Sequence, residues 1–145
     1  MSLGVRVGDS VRFAKTVTES DVGLFAGITG DFAANHVNEE HMRATPYGGR
    51  IAHGVLVLGL ASTASTLMAD RIPGTTVSAG YDRVRFTAPV RLGDTVTVEY
   101  TVRSVDEQRG RVLAELRGTR QDGTVCLVGT HILAAVGGGN DVEGS

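Results

Sequence analysis

The sequence predicts an α+β domain in which a curved antiparallel sheet wraps a long central helix. Three observations predict it. Helical periodicity is confined to the first half of the chain, and a run of apolar–polar alternating segments fills the second half. Between them, Ile51 to about Arg71 reads as one helix that is apolar nearly all round. A helix without a wide polar face must be buried. Helices gathered early and strands gathered late argue for segregated layers rather than alternating βαβ units.

Each element has its own signal. Val11–Val17 alternates apolar and polar residues and predicts a strand. Thr18 with Asp21 three residues later predicts a capped helix start. Val22, Leu24, Phe25 and Ile28 predict that helix's apolar face, and Gly30 its stop. Asn38 predicts the cap of a short helix running to about Ala44. Pro46 and the glycine pair Gly48-Gly49 then break the chain, and the central helix follows.

Thr75–Phe86 predicts the next strand. Val96, Val98, Tyr100 and Val102 repeat every second residue, as do Val112, Ala114 and Leu116. Asp122-Gly123 predicts a two-residue hairpin turn into a last strand over Thr124–Val136. Gly137-Gly138-Gly139 opens an expected flexible tail, 137–145, leaving 1–136 as the folded domain. A curved sheet around a central helix is the hot-dog architecture.

Composition excludes several functions. The chain has 145 residues, enough for one domain with a real core. Lys plus Arg is 14 against 16 for Asp plus Glu, a net charge of −2. That balance offers no electrostatic footprint for nucleic acid. One cysteine, Cys126, excludes an internal disulfide, and a cytoplasmic protein is expected. The longest uncharged apolar run, Gly54–Ala69, is shorter than the roughly 20 residues of a membrane span, so no membrane contact is expected. The chain contains no G-x-S-x-G, P-loop or dinucleotide fingerprint.

The chemistry gathers between Gly30 and Gly54. Asp31 and His36 stand five residues apart, just before Gly48-Gly49-Arg50-Ile51-Ala52-His53-Gly54. A carboxylate and an imidazole held together can bind and polarise one water. The first N–H groups of a helix are unpaired and carry partial positive charge, so they can hold a developing oxyanion. Together these point to adding water to an activated acyl compound, or removing it. His36, Glu39, Glu40 and His41 match no H-E-x-x-H spacing, so no metal is expected. His53 and His131 read as structural histidines, Cys126 as buried and inert, and Gly59 as a packing glycine. Arg50 has three readings: orientation of the loop, contact with a phosphopantetheine arm, and a surface salt bridge.

The chain resembles the MaoC-like dehydratases, a family that includes the (R)-specific enoyl-CoA hydratases. The resemblance rests on Ser20-Asp21-Val22 with Phe25-Ala26, on Gly30-Asp31-Phe32 with His36, on Gly49–Gly54, and on Arg85–Asp94. It runs from about Val7 to Val136. It implies a hot-dog fold, a homodimer, and a CoA or acyl-carrier thioester substrate. It implies that Asp31 and His36 hold the water added to C3 of a trans-2-enoyl thioester, giving the (R)-3-hydroxyacyl thioester. The Gly54 backbone N–H would bind the thioester oxygen, and Ser62 matches a serine near the family's site. No cofactor is implied, since the thioester itself activates the carbon chain. The family reads D-x-N-P-x-H; here Ala33 and Ala34 replace the Asn and Pro. Two other readings stay open: a hot-dog thioesterase using Asp31 as base or nucleophile, and a non-catalytic binder or partner-dependent subunit.

Overall fold

The computed structural model describes residues 2–137. The expected tail lies outside the described residues apart from Gly137. In chain order come β1 (Ser10–Thr16), α1 (Glu19–Thr29), α2 (Ala34–Val37), α3 (Glu39–Arg43) and α4 (Gly54–Ala69). Then follow β2 (Thr75–Arg85), β3 (Thr95–Asp106), β4 (Arg111–Arg120) and β5 (Val125–Val136). The strands form one five-stranded sheet in the order β1-β3-β4-β5-β2, antiparallel throughout. The α+β class and the hot-dog arrangement are as expected.

The core follows from alternation. Val96, Val98, Tyr100 and Val102 of β3, and Val112, Ala114 and Leu116 of β4, turn one face of the sheet inward. Val57, Leu60, Ala61, Ala64 and Met68 of α4 meet that face and join the same cluster. The expectation of an all-round buried helix needs correction, because Val55, Gly59, Ser62, Thr63, Thr66 and Leu67 leave one side of α4 exposed. Gly59 faces open space rather than a close neighbour.

Helix α1 forms where its cap signals stand. Thr18 Oγ1 accepts from the Asp21 N–H, and the Asp21 carboxylate accepts from the Thr18 N–H. Gly30 ends the helix at φ 82°, a conformation only glycine adopts without strain. The buried residues are Val22 and Ala26, with Leu24 and Ile28 exposed. Residues four apart share a side of a helix, whereas Leu24 lies two from Val22 and points away.

Several boundaries differ from expectation, β1 by one residue at each end and β5 by one residue at its start. The central helix starts at Gly54, not Ile51, because Ile51 and Ala52 are extended. Their N–H groups donate to the carbonyls of Asn35 and Val90, and Ile51 bridges to Arg91. The turn between β4 and β5 spans 121–124 rather than two residues. It closes through Gly123 at φ 84°, whose N–H donates to the Arg120 carbonyl. Strand β2 ends at Arg85 and carries two register shifts, at Ser78/Gly80 and Asp82/Arg85.

Candidate active site

The segment before α4 holds the site together. Ile51 pairs through its N–H with Asn35, and its carbonyl accepts from His36 Nδ1 at 2.8 Å. A carbonyl can only accept, so Nδ1 carries the proton of a neutral His36. The Nε2 lone pair is then left as a base. Arg50 next door is committed to two carboxylates, Glu19 of α1 and Glu39 of α3, at 2.8 and 3.0 Å. The guanidinium beside it holds the Glu39 carboxyl below its usual range. Arg50 thus orients this loop, and the phosphopantetheine reading loses its support.

Asp31 sits just past the Gly30 cap. Its Oδ1 accepts from the Ala33 N–H at 3.2 Å, and its own N–H donates to Thr29 Oγ1. The carboxylate is exposed, whereas His36 is only 8% exposed. Helix α2 supplies the turn between them, with His36 and Val37 donating to the Ala33 carbonyl. Asp31, His36 and His53 bring one carboxylate oxygen and two ring nitrogens within 4.8 Å of one another.

That trio has the donor types of a metal site, yet its geometry suits one poorly. The His36 and His53 rings stack with centroids 3.7 Å apart and planes 25° from parallel. Their in-plane lone pairs therefore lie in nearly parallel planes, whereas two imidazoles on one ion must both aim at it.

The helix start completes the arrangement. His53 is the N-cap of α4 and offers no side-chain cap. Its carbonyl accepts from Leu56 and Val57, while the N–H groups of Gly54 and Val55 find no acceptor among the described residues. Those two donors carry the positive end of a 16-residue helix. A cavity of about 500 Å³ is lined by both His36 and Gly54, with Val57, Phe86, Val90 and Cys126 as apolar walls. A larger, shallower hollow crosses the outer face of the sheet near Arg83 and Arg103. It holds neither an imidazole nor a helix start, and Arg103 there is paired with Glu115.

Ser62 lies on the exposed side of α4, and the His36–Gly54 cavity is not lined by it. Eight residues turn a helix about 80° past two full turns, which explains the offset from Gly54. Cys126 is buried as expected, and burial pushes its thiol up. Its place on the cavity wall was not foreseen. Nor was Phe86, whose ring lies over Gly54 so closely that a Cβ there would meet ring atoms at 2.6–2.9 Å. Glycine at 54 is the sequence trace of that approach. His131 is fully buried and satisfied, with Nδ1 against Tyr100 Oη and Nε2 against Ser78 Oγ, both at 2.7 Å.

Residues 3–122 match the family model described as a MaoC like domain. An (R)-specific enoyl-CoA hydratase of Rhodospirillum rubrum is 42% identical over 98 residues, covering 68% of this chain and 66% of that protein. A 3-hydroxybutyryl-CoA dehydratase of Methylorubrum extorquens is 37% identical over 107 residues, covering 74% and 66%. Both alignments therefore span just under two-thirds of the relative's length. Among solved structures, the unliganded R-hydratase PhaJ1 of Pseudomonas aeruginosa superposes with a TM-score of 0.81 at 32% identity. That match covers 90% of this chain and 82% of PhaJ1.

Proposed function

The chain belongs to the MaoC-like dehydratase family, and from that premise we propose that it is a hydro-lyase acting on acyl thioesters. It adds water to a trans-2-enoyl-CoA or acyl-carrier thioester to give the (R)-3-hydroxyacyl thioester, or catalyses the reverse. The observation that carries this reading is one cavity lined both by His36 and by the start of α4 at Gly54. Base and oxyanion donors are the two things hydration of an enoyl thioester needs, at C3 and at the carbonyl oxygen.

In this reading Asp31 and His36 hold the attacking water. His36 Nε2 takes its proton while the water oxygen bonds to C3. Electrons move to the thioester oxygen, and the Gly54 N–H, helped by the helix dipole, stabilises the enolate. A proton delivered to C2, from water or through the dyad, completes the addition, and His36 gives up the proton it took. Preorganised donors of this kind are worth on the order of 10²–10³ in rate. Ser62 remains a substrate-binding candidate.

We place the whole of 1–136 in one domain and expect it to work as a homodimer. Leu24, Ile28, Phe32 and Val55 are large apolar residues left exposed, and the outer edges of β1 and β2 are unpaired. Both features favour a covering partner. Among the described residues no helix is long and apolar enough to cross a membrane, and a cytoplasmic site is proposed with the function. The thioesterase reading has no observation in its favour beyond the shared helix start.

Loss of crotonyl-CoA enoyl absorbance beside a free-thiol assay tests the proposal. Absorbance loss without thiol release, abolished in Asp31→Asn and His36→Gln, is the expected result. Thiol release would make the protein a thioesterase. Silence across a panel of chain lengths and both carriers would leave a binder or a partner-dependent subunit.

A further inference from the structure

We infer that His53 is the positioning residue of the Asp31–His36 pair, holding both members in register from the cap of α4; this rests on the hydratase reading. His53 touches each of them by a different contact. Its Nε2–H donates to the backbone carbonyl of Asp31 at 3.0 Å. The opposite element, the ring face, stacks on His36 at 3.7 Å. Phe25 of α1 backs the same ring at 4.7 Å, tilted 55°. His53 is 2% exposed and stands at the N-cap, so its backbone is set by the helix that also supplies the oxyanion donors.

Packing alone does not explain an imidazole here. His53 Nδ1 is buried without a hydrogen-bond partner among the described residues. A buried lone pair without a protein partner is unfavourable, and a phenyl ring would fill the slot between Phe25 and His36 without one. What phenyl cannot supply is the N–H to Asp31. A glutamine could supply the N–H but no stacking face. Among side chains no larger than phenylalanine, histidine offers face and donor together, and the unpaired Nδ1 is what that combination costs. The result is a rigid link from helix start to carboxylate loop to base, three groups whose spacing decides whether one water can reach C3.

Three variants separate the contacts. His53→Phe keeps the face, His53→Gln keeps the donor, and His53→Ala keeps neither. Readouts are kcat and KM on crotonyl-CoA, thermal midpoint, and the imidazole ¹⁵N signals of His36. In H53F, kcat should fall roughly 10- to 100-fold with KM and midpoint nearly unchanged, as expected when reacting groups shift by up to about an ångström. H53Q should recover part of the kcat lost in H53A. The His36 ¹⁵N signals should move in H53Q and H53A, where the stacked ring is gone. Wild-type kcat in H53F, or equal kcat in H53Q and H53A, would overturn the inference. If H53F does not fold, the Gln–Ala comparison decides alone. A wild-type protein inert on every enoyl thioester would sink the hydratase reading instead. The His36 signals would then judge His53: unmoved in H53Q and H53A, they reduce it to packing.

Discussion

His36 Nδ1 donates to the carbonyl of Ile51, the residue whose N–H reaches back to Asn35 beside His36. The histidine and its acceptor are therefore locked by reciprocal bonds across 15 residues of chain. A ring held this way has one neutral tautomer, with Nε2 unprotonated. Imidazole ¹⁵N spectroscopy near neutral pH should find His36 as the Nδ1–H form. Detection of the Nε2–H form would remove the base from the proposed mechanism.

Phe86 closes over Gly54 with no room for a methyl group. Gly54→Ala should therefore force the ring or the helix start aside, at a cost of about 1–3 kcal/mol. It should also displace the unpaired N–H groups and reduce kcat. Because Phe86 is about half exposed, at 49%, Phe86→Ala should relieve the clash. The double variant should regain stability and part of kcat relative to Gly54→Ala alone, measured by denaturant midpoint and turnover. Additive losses would show that the ring is not what excludes a side chain at 54.

What was legible beforehand divides by range. The Thr18–Asp21 box and the Asn38 cap, which accepts from the His41 N–H, were readable because both partners lie within four residues. So was the alternation of β3 and β4, which is set by one buried face. The start of α4 was not, since Ile51 and Ala52 are drawn into extended pairing by Asn35 and Val90, 16 and 38 residues away. Leu24 and Ile28 misled because apolar residues announce burial even when nothing in the same chain covers them. Asp31 and His36 stood out as a pair of reactive types, while the role of the Gly54 N–H came through the family resemblance. His53 read as structural, because its stacking and its bond to Asp31 exist only once α1, α2 and α4 converge.

Stability should fall with acid in two successive steps. His131 is fully buried, and loss of water pushes its imidazole down to about 4 from 6.5. The unfolded chain therefore binds this proton first. Its contribution is fully present above pH 6.5, declines as pH falls from 6.5 to about 4, and is flat below. The span corresponds to about 3 kcal/mol. Lys15 beside Asp21 and Arg50 beside Glu39 hold those carboxyls low, so their contributions are lost only below about pH 4.5. Urea midpoints from pH 7.5 to 4.5 should drop in wild type. In His131→Gln, already weaker at pH 7.5 because the Tyr100 hydroxyl loses its ring partner, the slope across that range should flatten. An unchanged slope would place the sensitivity elsewhere.

The replaced dipeptide of the dyad loop gives the last prediction. Ala33 is the N-cap of α2 and makes no side-chain cap bond, and Ala34 is the first helical residue. Asparagine at a cap accepts an otherwise unpaired N–H, and the Asn35 N–H has no acceptor among the described residues. Proline at the first helical position forfeits no hydrogen bond. Here the Ala34 N–H likewise has no acceptor among the described residues, and Ala33 already has the φ −56°, ψ 145° backbone that a residue before proline requires. Restoring both as Ala33→Asn with Ala34→Pro should therefore stabilise the protein. The cap contributes about 0.5–2 kcal/mol and the proline about 0.4–1 kcal/mol, through the unfolded state. Differential scanning should show a higher midpoint. Because α2 carries His36, kcat should rise or hold. A stabilised protein with lower kcat would mean that this loop must move during turnover, and that the two alanines keep it free to do so.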